Sequence, residues 1–219
     1  MKLYYLAILV PEPVRTAILT MQQDIARMLG DEGVLRSPPH ITLLAPFPFE
    51  EELLPQLSQE LEKICTSFRP FSIVLSGYDA FPSHTVFVRV LQNRSLRVLE
   101  HMLWSGLTTH YPMVAWKTRV RFHPHVTIAT KIAQEQTYFS LMKAFGEKPY
   151  HASFAVPELS LMRWDGESWE VVRGFGFKSA GAAKNMQFLQ KNVYTTNVLL
   201  LANAYGKVNP AKKPNIRFS

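Results

Sequence analysis

Pro39-His40-Ile41-Thr42-Leu43 is written a second time, in the same pattern, as Pro124-His125-Val126-Thr127-Ile128. With 15 prolines and 7 histidines among 219 residues, fewer than one Pro-His pair is expected by chance, before the next three positions must also agree. The β-branched and aliphatic residues predict a strand at each copy, and proline is tolerated at a strand's first position. Along a strand, residues i and i+2 share a face. Each copy therefore sets a histidine beside a threonine on one face and turns Ile41/Leu43 or Val126/Ile128 to the other. Two such strands facing one another would line a cleft with two imidazoles and two hydroxyls.

Working outward, Leu3 to Val10 reads as a first strand. It is too short for a secretory leader and is followed by Pro11-Glu12-Pro13 rather than a small-residue cleavage site. Apolar residues at Val14, Ile18, Met21, Ile25 and Met28 predict a helix over 11–29, ended by Gly30 and Gly33. A second helix is expected over 50–68, acidic in its first turn, then strands over 70–75 and 85–91. The order then repeats: a helix over 94–107, the second histidine strand, a helix over 134–145 and a strand over 150–156. Strands over 159–164 and 169–177 follow, joined at the turn signal Asp165-Gly166. Starting a second half at Val86 gives strand, helix, histidine strand, helix, strand twice. The expected fold is α+β, with two pseudo-symmetric lobes whose antiparallel sheets line a central cleft and whose helices lie outside. This bilobal domain is placed at 1–177 and a basic C-terminal tail, weakly structured or helical, at 178–219.

The net charge of +7 belongs to that tail, which carries seven basic and no acidic residues; the first 177 residues hold equal numbers of each sign. The body is therefore not a general nucleic-acid-binding surface. The single cysteine, Cys65, excludes an internal disulfide and is expected in the core of a helix. No stretch is long and apolar enough to span a membrane, so the expected location is cytoplasmic and no membrane partner is expected. No phosphate-cradling glycine-rich loop supports ATP use.

Two histidines and two hydroxyls suit phosphodiester chemistry without a metal. In-line attack on phosphorus needs a base on the incoming water and an acid on the leaving oxygen, and an ordinary imidazole pKa of ~6.5 serves both. Threonine hydroxyls can donate to the non-bridging oxygens. Two near-equivalent histidines would have similar pKa values and give a bell-shaped pH profile centred near neutrality.

The paired motif resembles the signatures of the 2H phosphoesterase superfamily, and within it the 2′-5′ RNA ligase-like branch that includes RNA 2′,3′-cyclic phosphodiesterases. The resemblance covers roughly residues 1–177. It implies a bilobal fold and metal-independent opening of a cyclic phosphate, with ligation as the reverse reaction. It also implies catalysis by His40, Thr42, His125 and Thr127, with His40 as acid and His125 as base. Many members carry an arginine three residues after the second threonine. Here Thr130 stands there, and Lys131, next to it, offers a point charge in place of a bidentate fork. Phe47, Lys131 and Tyr4 are the expected substrate-binding residues; Tyr5 and Trp164 are further aromatics able to stack on a base. The expected substrates are RNA ends or cyclic nucleotides, acted on by a monomer with no cofactor and no metal. Two alternatives stand beside this reading. One is a nucleotide- or RNA-end-binding module with little turnover; the other is a metal-dependent hydrolase using His123 and His125, which i, i+2 spacing brings together.

Overall fold

The structure, a computed structural model, describes residues 1–82, 85–115, 121–146 and 148–178. The expected tail lies outside them, apart from Lys178.

Among these residues, eight strands and four α-helices follow one another as β1 (Lys2–Leu9), α1 (Val14–Leu29), β2 (His40–Phe49), α2 (Leu54–Thr66), β3 (Phe71–Phe81), β4 (Thr85–Val90), α3 (Arg94–His110), β5 (His125–Ala129), α4 (Glu135–Gly146), β6 (His151–Val156), β7 (Glu158–Trp164) and β8 (Trp169–Gly176). They form two antiparallel four-stranded sheets. One has the order β2-β1-β7-β8 and the other β5-β4-β3-β6. The α+β class and the paired sheets agree with the sequence reading.

The halves, however, are not the two sheets. The third strand of the first half, β3, crosses into the sheet of β4 and β5, and the β7–β8 hairpin completes the sheet that β1 and β2 begin. The helices are exchanged as well. α1, from between β1 and β2, packs on β5 and β6, while α3, from between β4 and β5, packs on β2 and α2. Each sheet is thus covered in part by a helix that the other sheet's strands lead into.

Local chemistry accounts for the boundaries. Gly30 ends α1 in the left-handed region at φ 67°, where a glycine pays no Cβ penalty. Asn93 caps α3 by accepting from the Leu96 amide at 2.9 Å, a contact worth about 1 kcal/mol. At the β7–β8 turn, Asp165 Oδ1 accepts from the amides of Glu167 and Ser168, which holds a four-residue loop rather than a two-residue turn. Leu57, Leu61 and Cys65 of α2 are wholly buried, as expected of the apolar face, and each leucine removed to alanine would cost about 2–5 kcal/mol. Burial pushes the Cys65 thiol up to about 12, so it is inert core. Among the described residues, no helix is long and apolar enough to cross a membrane.

Candidate active site

The two histidine strands are each the edge strand of their sheet, and they lie against one another. This brings the two motifs together from opposite sheets: His40 and Thr42 open β2, and His125 and Thr127 open β5. All four side chains are half-buried, while Ile41, Leu43, Val126 and Ile128 are buried on the opposite faces, as the i, i+2 rule requires.

The two imidazoles are held alike. His40 Nδ1 donates to the Pro38 carbonyl at 2.7 Å, and His125 Nδ1 donates to the His123 carbonyl at 2.7 Å. A carbonyl can only accept, so the tautomer is set in both rings and Nε2 is the nitrogen left for chemistry. Each ring also rests on an aromatic of the neighbouring strand: His40 on Tyr5, centroids 5.0 Å apart, and His125 on Phe87, also 5.0 Å. The settings then diverge. Ser37 Oγ lies 3.2 Å from His40 Nδ1 and 2.6 Å from the Tyr5 hydroxyl, whose pKa burial raises to about 12. His125 is instead flanked by Phe81, at 4.9 Å.

Burial lowers the pKa of both histidines, against the opposing pull of the carbonyl bonds; for His40, the charge of His125 lowers it further. Both rings therefore favour the neutral form.

A cavity of about 430 Å³ opens beside His40, with His125 and Thr42 off its wall. His40, Thr127, Thr130 and Lys131 line it, with Ser37 and Arg36 from the loop before β2. Gln22 of α1, Asp31, and Trp164 and Trp169 of the β7–β8 hairpin complete most of its wall. Lys131 takes a left-handed backbone conformation, φ 54°, and is exposed.

The family profile of the 2′-5′ RNA ligase superfamily matches residues 10–168, which span both histidine strands and the helices between them. The chain belongs to the 2′-5′ RNA ligase superfamily. A superfamily relative from Halalkalibacterium halodurans, provisionally named a phosphoesterase, is 27% identical over 70% of this chain and 89% of its own length. Another, from Geobacillus kaustophilus and named in the same way, is 29% identical over 70% and 88%. The fold is similar to that of TT0787 of Thermus thermophilus, with a TM-score of 0.59 and 21% identity, covering 82% of this chain and all of that one. It is also similar to that of E. coli LigT solved with 3′-AMP, with a TM-score of 0.57 and 19% identity, covering 80% and 98%. The superfamily match and these relatives support a phosphoesterase.

Within this superfamily frame, two expected binding residues need correction. Tyr4 and Phe47 are wholly buried, each edge-on to Phe49, and no base can reach a ring that is part of the core. Lys131 does reach the cavity wall. Trp164, weighed only as a secondary aromatic, lies on that wall, and Trp169, Arg36, Ser37 and Gln22 were missed. His123 is exposed, its ring edge-on to Phe81 at 5.1 Å. Among the described residues, no group of three or more His, Cys, Asp or Glu side chains is placed to hold a metal ion.

The shifts make stability pH-dependent, and the sign follows directly. The unfolded histidine pKa is ~6.5 and both folded values lie lower, so the unfolded chain binds more protons and stability rises with pH. The contribution is complete above ~6.5 and is lost as pH falls through the folded values. The thermal midpoint should therefore drop between pH 7 and pH 5, above the range where carboxylates titrate. In a His40→Leu/His125→Leu double variant, a scan of midpoint against pH should be flatter over that interval; an equally steep one would place the dependence elsewhere.

Proposed function

We propose that the protein is a metal-independent cyclic phosphodiesterase that hydrolyses 2′,3′-cyclic phosphates at RNA ends or on nucleotides by two-histidine acid–base catalysis. The observation that carries this reading is the matched pair of imidazoles on adjoining edge strands, each with Nδ1 spent on the carbonyl two residues before it. In this mechanism, water attacks phosphorus and gives a proton to Nε2 of His125. The phosphorus–O3′ bond breaks, and Nε2–H of His40 protonates the departing oxygen, leaving a 2′-phosphate and a 3′-hydroxyl. The hydroxyls of Thr42 and Thr127 donate to the non-bridging oxygens, where charge accumulates. Return of the proton from His125 to His40 through solvent resets the site. Assigning His40 as acid and His125 as base follows the superfamily resemblance. Solved complexes of E. coli LigT with 3′-AMP and with phosphate support a nucleotide phosphate as the ligand here.

Both histidines favour the neutral form in the free protein, so the acid gains its proton as the anionic substrate arrives and raises the imidazole pKa. Free-enzyme pKa values govern kcat/KM. Its bell should therefore centre below ~6.5 rather than at neutrality, with the kcat optimum at higher pH. The test is hydrolysis of a cyclic mononucleotide and a cyclic-ended oligomer in excess chelator, with the product phosphate located by NMR. Turnover to a 2′-phosphate is the expected result. Activity lost to chelator and restored by a divalent ion would favour the metal reading through His123 and His125. Tight binding without turnover would favour the binding-module reading.

A further inference from the structure

The two half-sites are built alike up to one difference. Each Nδ1 donates to the carbonyl two residues before it at 2.7 Å, and each ring lies 5.0 Å from an aromatic of the neighbouring strand. Beside His40 that aromatic is Tyr5, and the residue three positions before the histidine is Ser37. Beside His125 the same places are held by Phe87 and Phe122. The first half-site thus carries two hydroxyls where the second carries two phenyl rings, and the hydroxyls form a chain. Those of Tyr5 and Ser37 lie 2.6 Å apart, and Ser37 Oγ lies 3.2 Å from His40 Nδ1.

Tyr5 is 2% exposed, and a buried phenol needs a partner, which by itself would explain Ser37. Ser37 reaches further, however, to the imidazole nitrogen that already carries a proton. Nδ1–H donates to the Pro38 carbonyl, so Ser37 Oγ can only accept there, as a second acceptor on the same N–H. Acceptors at Nδ1–H favour the imidazolium over the neutral ring. Burial works the other way on His40, and so does the charge of His125. A ring that must hand a proton to a leaving oxygen needs a counterweight to both. Among the described residues, His125 Nδ1 has only its carbonyl. Tyr5 pins the rotamer of Ser37 whichever hydroxyl donates, and with its own pKa raised to about 12 it stays neutral. The other titratable groups around the ring are His125 on β5 and Asp31, Arg36 and Lys131 on the cavity wall; among the described residues none of them is hydrogen-bonded to Nδ1.

We infer that Ser37 and Tyr5 are positioning residues that keep the proton of the site on His40, and so make this ring the acid and His125 the base. These roles rest on the proposed acid–base reaction, to which they add a cause in this chain's own residues, apart from the superfamily resemblance.

The experiment titrates both histidines by NMR in the protein without substrate, before any turnover is measured. Ser37→Ala should lower the His40 midpoint by about 0.5–1 pH unit and should not lower that of His125. Tyr5→Phe keeps the ring against His40 and should lower the same midpoint by less. Ser37→Thr keeps Oγ and should restore the wild-type value, since Ser37 has an extended backbone, φ −140° and ψ 140°, that suits a β-branched residue. On a cyclic nucleotide, the basic limb of the kcat profile reports the acid in the complex. In Ser37→Ala that limb should move down by the same interval, a roughly 3- to 10-fold loss there, while the acidic limb does not follow it. A His40 midpoint unmoved by Ser37→Ala, or two histidines that fall together, would overturn the inference. A midpoint lowered in Ser37→Ala but not in Tyr5→Phe would overturn the part given to Tyr5. If the His40 midpoint falls as expected while the wild type opens no cyclic phosphate, the hydroxyl pair stands as the holder of the proton and the phosphodiesterase reading falls.

Discussion

His40→Ala and His125→Ala should each lower kcat on a cyclic nucleotide by roughly 10²–10⁴-fold, and the double variant should lose little more than the worse single. In the proposed mechanism the two proton transfers belong to one displacement. Once either imidazole is gone, the other has no partner event to serve, so the losses do not multiply. The structure adds that the rings interact: the charge of His125 depresses the pKa of His40. Removing His125 should therefore also raise the pKa of His40. Steady-state rates of the three variants, with a titration of His40 by NMR in His125→Ala, check both parts. Losses that multiply would mean that the histidines act in separate steps. An unmoved His40 pKa would show that the rings do not sense one another.

Thr127→Val should cost roughly 10²–10³-fold in kcat with little change in KM, the loss typical of one donor aimed at developing negative charge. The replacement is nearly isosteric, and the backbone carbonyl that Gln22 holds remains in place, so the strand should keep its position. Thr127 lines the cavity together with His40, although it neighbours His125 in sequence. Thr127 thus stands on a wall that residues of both motifs share. A variant whose KM rises while kcat holds would show that the hydroxyl binds the ground state only, and would remove it from the transition state.

Much of this was legible in the chain because strands and amphipathic helices advertise their periods. The four helices and eight strands of the described residues lie where apolar spacing and turn residues put them, most within a few residues. But β2 and β3 each run six residues past the expected end, β3 through an irregularity at Gly77 that reads in the sequence as a break. Both copies of the paired motif carry the same alternation, and their strands lie against one another. The error at Phe47 was avoidable: counting by twos from His40 sets Phe47 on the face of Ile41 and Leu43, and that face is core. The error at Tyr4 was of another kind. β1 runs between β2 and β7 and is apolar on both sides, so nothing in Leu3 to Val10 says which tyrosine faces the histidine. That depends on the pairing of Ala7 with Thr42, which puts Tyr5 on the histidine's side. Gln22 left no trace because a glutamine on a helix face ordinarily points to solvent. Its burial follows from α1 crossing to the other sheet, and no local pattern encodes that exchange.

The division of the strands between the sheets also sets when, during synthesis, the site can exist. Residues 71–156 hold every strand of the sheet that carries His125, so that edge strand has its neighbours once His151–Val156 has left the ribosome. Among the described strands, that of His40 pairs only with β1, and β1 lacks its second neighbour until Glu158–Trp164 emerges. Until then His40 rides on a two-stranded ribbon, which is marginal in water. A chain that stops before Gly176 therefore carries a finished half-site for one histidine and a loose one for the other. The proposed chemistry thus waits for β7 and β8, the last hairpin of the described residues.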